Sequence, residues 1–150
     1  MALDEAIVTR LITNLGAVSG MKRVYSQADL TPAAADCPCI VIGLPEMELV
    51  GFEAQRSPRA LAWVYHYKLQ VLMSPSGQYV GNLTVSEKAF ADAVVKKLYS
   101  ETSLNGAAFD SQLDGTFNIG NEVYTYGANT YDGFLLPWLV RASAGITATP

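Results

Sequence analysis

A chain of 150 residues with 50% apolar and only 16% charged side chains suffices for one domain that buries roughly two thirds of the surface its unfolded form exposes, so no disulfide framework is required. A formal net charge of −4 argues against a protein whose main task is gripping nucleic-acid phosphates, although DNA can still slide past such a surface. Met1–Glu5 has no basic segment leading into an apolar core, and no apolar run nears the roughly 20 residues of a membrane span, so folding in a cytoplasm is expected.

Leu3, Ile7, Val8, Leu11, Ile12 and Leu15 recur at helical intervals with polar residues between them, which predicts an amphipathic helix from Leu3 to Leu15. Asp4 and Glu5 suit its first turn and Gly16 its stop. Lys22–Ser26 reads as a short strand. Gln27–Pro38 reads as a surface loop, in which Pro32–Ala35 is compatible with one helical turn. Cys37 and Cys39 flank Pro38, a spacing that rarely closes a relaxed disulfide. With a single histidine in the chain, a zinc site lacks ligands. Cys39 is therefore expected to open a buried strand, Cys39–Leu44, with Cys37 a small residue in the preceding loop.

Glu46–Gln55 carries Met47, Leu49, Val50 and Phe52, which predicts a strand leading through Gln55–Arg59 into Ala60–Met73. Ala60–Met73 is the strongest signal in the chain. One alternating face is Leu61, Trp63, Tyr65, Tyr67, Leu69, Val71 and Met73; the other is the mixed set Ala62, Val64, His66, Lys68, Gln70 and Leu72. At about 3.3 Å per residue the strand runs roughly 45 Å, against a radius of gyration of about 15 Å for a compact domain of this length. The expectation is that it bends sharply or projects as an arm. The two strands read as an extended hairpin with Arg56 and Arg59 near its tip, where Pro58 removes no ladder donor.

Ser74–Gly77 is a turn, and Thr84 stands three residues before Glu87 in a capping-box spacing. A second helix is predicted from Val85 to Glu101, with Lys96 and Lys97 near its carbonyl end. Leu104–Asn121 is rich in glycine, asparagine and aspartate. Glu122–Tyr126 and Phe134–Arg141 read as strands separated by the polar loop Gly127–Gly133, and Pro137 demands an edge, a bulge or a break. Ser143–Pro150 reads as a flexible tail. The order predicts a single α+β domain over residues 1–150: an antiparallel or mixed sheet with a long β-hairpin and two helices packed on one face. Strand and helix do not alternate regularly, which argues against a doubly wound parallel sheet.

Chemistry has few anchors. His66 would have to serve any histidine-based nucleophile system, and no Gly-x-Ser-x-Gly elbow accompanies it. Glu46, Glu48, Glu53, Asp110, Asp114, Glu122 and Asp132 can run acid–base steps only if folding pairs them, and solvation or interface salt bridging is their commoner fate. Gly115–Gly120 lacks the spacing and the Lys-Ser/Thr ending of a phosphate loop. Trp63, Tyr65 and Tyr67 head a set of aromatics without interleaved basic residues, which favours sheet packing or subunit contact over stacking on bases. Arg56 and Arg59, a tight basic pair, suit acidic side chains of a neighbour or phosphate; a solvated turn is the other reading. Arg56, Arg59, Trp63, Tyr65 and Tyr67 are thus the candidate interaction residues. No enzyme activity, cofactor or metal is expected.

In element order, length and composition, with an N-terminal amphipathic helix, a central hairpin ending in Ala60–Met73, a helix from Val85 and closing strands at Glu122–Tyr126 and Phe134–Arg141, most of the chain resembles the tail-terminator or tail-completion proteins of long-tailed bacteriophages. The resemblance implies a virion protein made in the host cytoplasm and assembled as a homo-oligomeric ring, typically of six copies. Such a ring caps the tail-tube protein and meets the head–tail connector, with transient, non-specific passage of DNA and no membrane. It makes the Glu46–Met73 hairpin an inter-subunit or tube-facing arm with Arg56 and Arg59 at its contact end, and the Ser143–Pro150 tail a segment ordered on docking. Another head–tail joining or neck protein shares this build. A small α+β hydrolase or ligand-binding protein is the alternative of another class. A pocket converging on His66 with two carboxylates favours that alternative, whereas a flat, apolar, arm-bearing surface favours assembly.

Overall fold

The computed structural model describes residues 3–26, 37–51, 61–75, 83–104, 108, 110–119, 122–126 and 129–143. In chain order these form α1 (Leu3–Gly16), β1 (Arg23–Ser26), β2 (Cys39–Ile42), β3 (Glu46–Gly51), β4 (Leu61–Pro75), α2 (Leu83–Tyr99), β5 (Asp110–Leu113), β6 (Glu122–Tyr126) and β7 (Asn129–Ser143). The strands join into one mixed sheet, in which only the β1–β2 pair is parallel.

The axis of the sheet is the antiparallel ladder between β4 and β7, running from Ala62 opposite Ser143 to Pro75 opposite Tyr131. Each long strand carries two shorter partners in tandem on its outer side. Beyond β4 lie β3, opposite Leu61–His66, and β2, opposite Leu69–Leu72, with β1 outside β2. Beyond β7 lie β5, opposite Trp138–Arg141, and β6, opposite Asn129–Gly133. The expected hairpin is present, since Glu46 faces His66 and Gly51 faces Leu61. Within the described residues β4 does not project as an arm; the hairpin beyond Gly51 and Leu61 lies outside them. Local pattern offers Ala60–Met73 no partner along its whole length, but β7 supplies one, so β4 lies at the centre of the sheet.

Alternation sorts the side chains onto two faces. Ile40, Ile42, Tyr65, Tyr67, Leu69, Val71, Phe134, Leu136, Trp138 and Val140 form one face, buried beneath Ile7, Leu11 and Leu15 of α1 and Ala91, Val94 and Leu98 of α2. Both helices therefore lie on one face, as their apolar stripes require. Arg10 of α1 makes two hydrogen bonds to Glu101 just beyond α2, at 2.9 and 3.0 Å, which ties the helices together. The opposite face carries a smaller cluster of Tyr25, Cys37, Cys39, Val41, Leu72 and Tyr131. Neither cysteine is in a disulfide and both are buried, with Cys39 opening β2 as expected and Cys37 before it.

Two residues show how the long ladder is accommodated. Pro137 lies opposite Lys68 without interrupting β7, and its carbonyl accepts a hydrogen bond from Asp114 N at 3.1 Å on the outer side. Its ring nitrogen faces that same side, in the gap between β5 and β6 where no strand demands a donor, so the proline occupies a local edge. Gly133 lies opposite Leu72, where β4 shifts register before Ser74. A Cβ on Gly133 would stand 1.9 Å from the carbonyl oxygen of Val71, so only glycine fits.

The remaining differences are local. α2 begins at Leu83, two residues before the predicted Val85, so Thr84 lies inside the helix. Asp110–Leu113 and Asn129–Gly133, irregular by their local composition, are strands. The hairpin tip with Arg56 and Arg59, most of the Gln27–Pro38 loop and residues 144–150 lie outside the described residues.

Candidate functional site

Of the aromatic contact candidates on β4, Tyr65 and Tyr67 belong to the chain's own interior. They are buried, with rings 6.1 Å apart and nearly parallel, beneath the helices. Little of either is left to touch another molecule, because their face is the one the helices cover. Trp63, nearer the hairpin, is half-buried at the margin of the same core.

Exposed apolar side chains gather on and just before β3, with Val123 and Tyr99 exposed elsewhere. Leu44 is 74% exposed, Met47 57%, Leu49 47% and Val50 36%. Among the described residues β3 pairs only with β4, so its outer backbone groups have no ladder partner. Apolar side chains along an unpaired strand edge are what soluble chains ordinarily blunt with charge or cover, and they template pairing with another chain.

The helix-free face of the same region carries a constellation of acid–base groups around His66. The register places Glu46 opposite His66 and Glu48 two pairs along on the same face. His66 Nε2 lies 2.7 Å from Glu48 Oε1, and Nδ1 lies 2.7 Å from Asp114 Oδ2, just past the end of β5. The hydrogen bond with Asp114, then that with Glu48, raise the imidazole pKa above its usual value, with burial opposing them weakly. When protonated the ring donates from both nitrogens, and its two contacts clip β3 and the β5 end to β4. A general base needs a free ring nitrogen, and here each is bonded to a carboxylate. Beside the clip, Arg141 donates to Asp110 at 2.8 and 2.6 Å across β7 and β5.

Glu87 of α2 is fully buried, and neither carboxyl oxygen has a hydrogen-bond partner among the described residues. Burial, then the charges of Asp132 and Glu122, push its pKa up to about 7. Tyr124, whose hydroxyl donates to Glu122, and Tyr126, whose hydroxyl donates to Gln70, are raised chiefly by burial.

A groove of about 550 Å³ opens on the helix-bearing face between Ala89, Ala91 and Val95 of α2 and the pair Phe117 and Ile119. Phe117 stacks on Phe134 with centroids 6.4 Å apart. Two carboxylates thus converge on His66 as an acid–base site would require, but this groove lies on the other face of the sheet. Among the described residues no group of three or more His, Cys, Asp or Glu side chains is arranged to hold a metal ion. No helix of the described residues is long and apolar enough to cross a membrane.

The chain matches no protein-family model and no curated protein.

Proposed function

We propose that the chain is a structural assembly protein: a ring subunit of the tail-terminator kind that caps a long phage tail tube and meets the head connector. The observation that carries the assembly reading is the β3 edge, where Met47, Leu49 and Val50 are exposed along a strand whose outer side is unpaired among the described residues. An edge of this composition gains by being covered, and a second copy is a partner always present at its own concentration. The element order supplies the narrower reading. The low share of charged residues and the net charge of −4 suit a subunit that buries surface against its neighbours and lines a channel that releases DNA. Another head–tail joining protein would use the same edge.

Native mass by light scattering over a concentration series, with and without magnesium, tests the assembly reading. A discrete closed oligomer, above all a hexamer, is the expected result; a monomer at every concentration overturns it. Replacing Arg56 and Arg59 by glutamate is expected to leave the fold intact and impair tail attachment. Unchanged attachment in that double variant removes the role assigned to the tip.

A second reading, a small hydrolase, rests on the convergence of Glu48 and Asp114 on His66. It requires one of those bonds to open so that a ring nitrogen can take a proton. Ester hydrolysis by the purified chain that is lost in His66→Gln supports it.

A further inference from the structure

β3 is held to the sheet by little besides its ladder with β4. Glu46 through Val50 are all exposed, and no β3 residue belongs to either buried cluster. Among the described residues, the contact of Glu48 with His66 is the one side-chain hydrogen bond that β3 makes. An edge strand so placed sits at the low end of a fold's local stability, where one polar contact changes how often it opens.

The two carboxylates on His66 are unequal partners. The Asp114 side chain is 30% exposed, and its backbone N donates to Pro137 O at 3.1 Å, which fixes it beside β7. The Glu48 side chain is 58% exposed and stands on the edge strand. The bond with Asp114 is also the larger cause of the raised imidazole pKa. When the ring loses a proton, one nitrogen keeps its N–H. Nδ1 keeps it, because Asp114 is the carboxylate less able to turn to water. Nε2 then presents a lone pair to Glu48 Oε1 at 2.7 Å, two acceptors with no proton between them. Glu48 is exposed enough to swing into solvent at little cost.

The other charges on this face do not take over from that proton. Glu46 stands opposite His66 on β3 and adds negative charge. Lys68 lies two residues along β4, on the side of His66 away from Val64, whereas Glu48 faces Val64. Arg141 of β7 also faces Val64 and is committed to Asp110 of β5. Both helices pack on the opposite face.

We propose that the Glu48–His66 contact is a proton-operated latch on β3: with the ring protonated the edge strand is clipped to β4, and loss of the Nε2 proton turns the contact repulsive, so that β3 frays while the Asp114 contact persists. The latch is closed on the acid side of the His66 titration and open on the alkaline side. It is a property of the single chain and does not depend on the assembly reading.

Nuclear magnetic resonance tests this on the full chain. The sequence holds a single histidine, so the imidazole nitrogen shifts belong to His66 alone. They are expected to show the Nδ1–H tautomer once the ring is neutral. Over the same titration the β3 amides that bond to β4 are expected to lose about two- to five-fold in protection from hydrogen exchange, relative to the intrinsic rate at each pH, the scale of an exposed ion pair. Amides of the β4–β7 ladder should keep theirs. Glu48→Gln supplies an amide that accepts from Nε2–H and donates to the bare nitrogen, so in that variant β3 should stay equally protected across the titration. His66→Gln should also show no step. A neutral ring that carries its proton on Nε2 overturns the proposal, and the tautomer can be read whether or not copies associate. So does a step that survives in both His66→Gln and Glu48→Gln, or β3 protection in the wild type that does not change as His66 titrates.

Discussion

Glu87 holds a carboxyl in the core with no partner among the described residues, and that has a definite consequence for stability against pH. Its pKa is pushed up to about 7 in the folded chain and returns to the ordinary carboxylate value on unfolding. The folded state thus binds the extra proton between those two values. The stability is fully present below the ordinary carboxylate value and is lost as pH rises to about 7, a loss of about 3 kcal/mol from the size of the shift. Glu87→Gln, which keeps the shape and abolishes the titration, is expected to be more stable than the wild type above neutrality and to have a flatter profile. Urea denaturation at pH 5 and pH 8 measures this; a wild type equally stable at both would falsify it. His66 acts in the same direction over a higher window. Its pKa is raised by Asp114 and Glu48, so the clip contributes below the free imidazole value and is lost as pH rises through the raised one. In His66→Gln the decline above neutrality should shrink while the decline between pH 5 and 7 remains. The sequence displays His66, Glu48 and Asp114 separately. Their convergence depends on the β3–β4 register and on a β5 end whose strand character is not visible in its residues.

At the scale of elements the sharpest expectation concerns two glycines. Gly133→Ala would place its Cβ 1.9 Å from Val71 O, and backbone in the middle of the central ladder cannot yield cheaply. A loss of roughly 2–4 kcal/mol follows from overpacking and disrupted pairing. Gly16→Ala meets nothing within 4 Å at the end of α1, and the Gly16 φ is not in the left-handed region, so alanine should be neutral or stabilising by up to about 1 kcal/mol. Unfolding midpoints of the two variants in urea separate the predictions, and equal effects at both sites would contradict the close approach at Gly133. The same pair marks what the sequence could reveal. Both helices and the apolar strands β2 and β4 are written in local periodicity, as is Gly16 as a helix end. Gly133 sits in Tyr131-Asp132-Gly133 after an asparagine and a threonine, a stretch with every local mark of a turn, and it is a strand because β4 and β6 flank it. Asp110–Leu113 is likewise polar and becomes a strand by pairing with β7. Strand preference reflects the surface a segment packs on, and for these segments that surface comes from residues far along the chain.

At the scale of the whole molecule, association and folding share one free energy. Copies joined through β3 bind the folded chain and not the unfolded one, so the unfolding temperature must rise with protein concentration. For a closed oligomer of several copies, a hundred-fold increase in concentration adds about 2 kcal/mol per subunit, or roughly 4–9 °C for a domain of this size. Met47→Lys with Leu49→Lys changes residues that are 57% and 47% exposed in the single chain. The folded monomer should lose little by the change, and surface substitutions away from packed features typically stay within about 0.5 kcal/mol. The edge-blocked chain should therefore melt near the dilute wild type at every concentration, while the wild type climbs away from it. Calorimetry over that range distinguishes a chain weakened in itself, which melts low and in parallel with the wild type, from one that has lost only its neighbour, which converges with the wild type on dilution. Convergence on dilution is the expected outcome, because Met47 and Leu49 lie outside the buried clusters that hold the sheet to its helices.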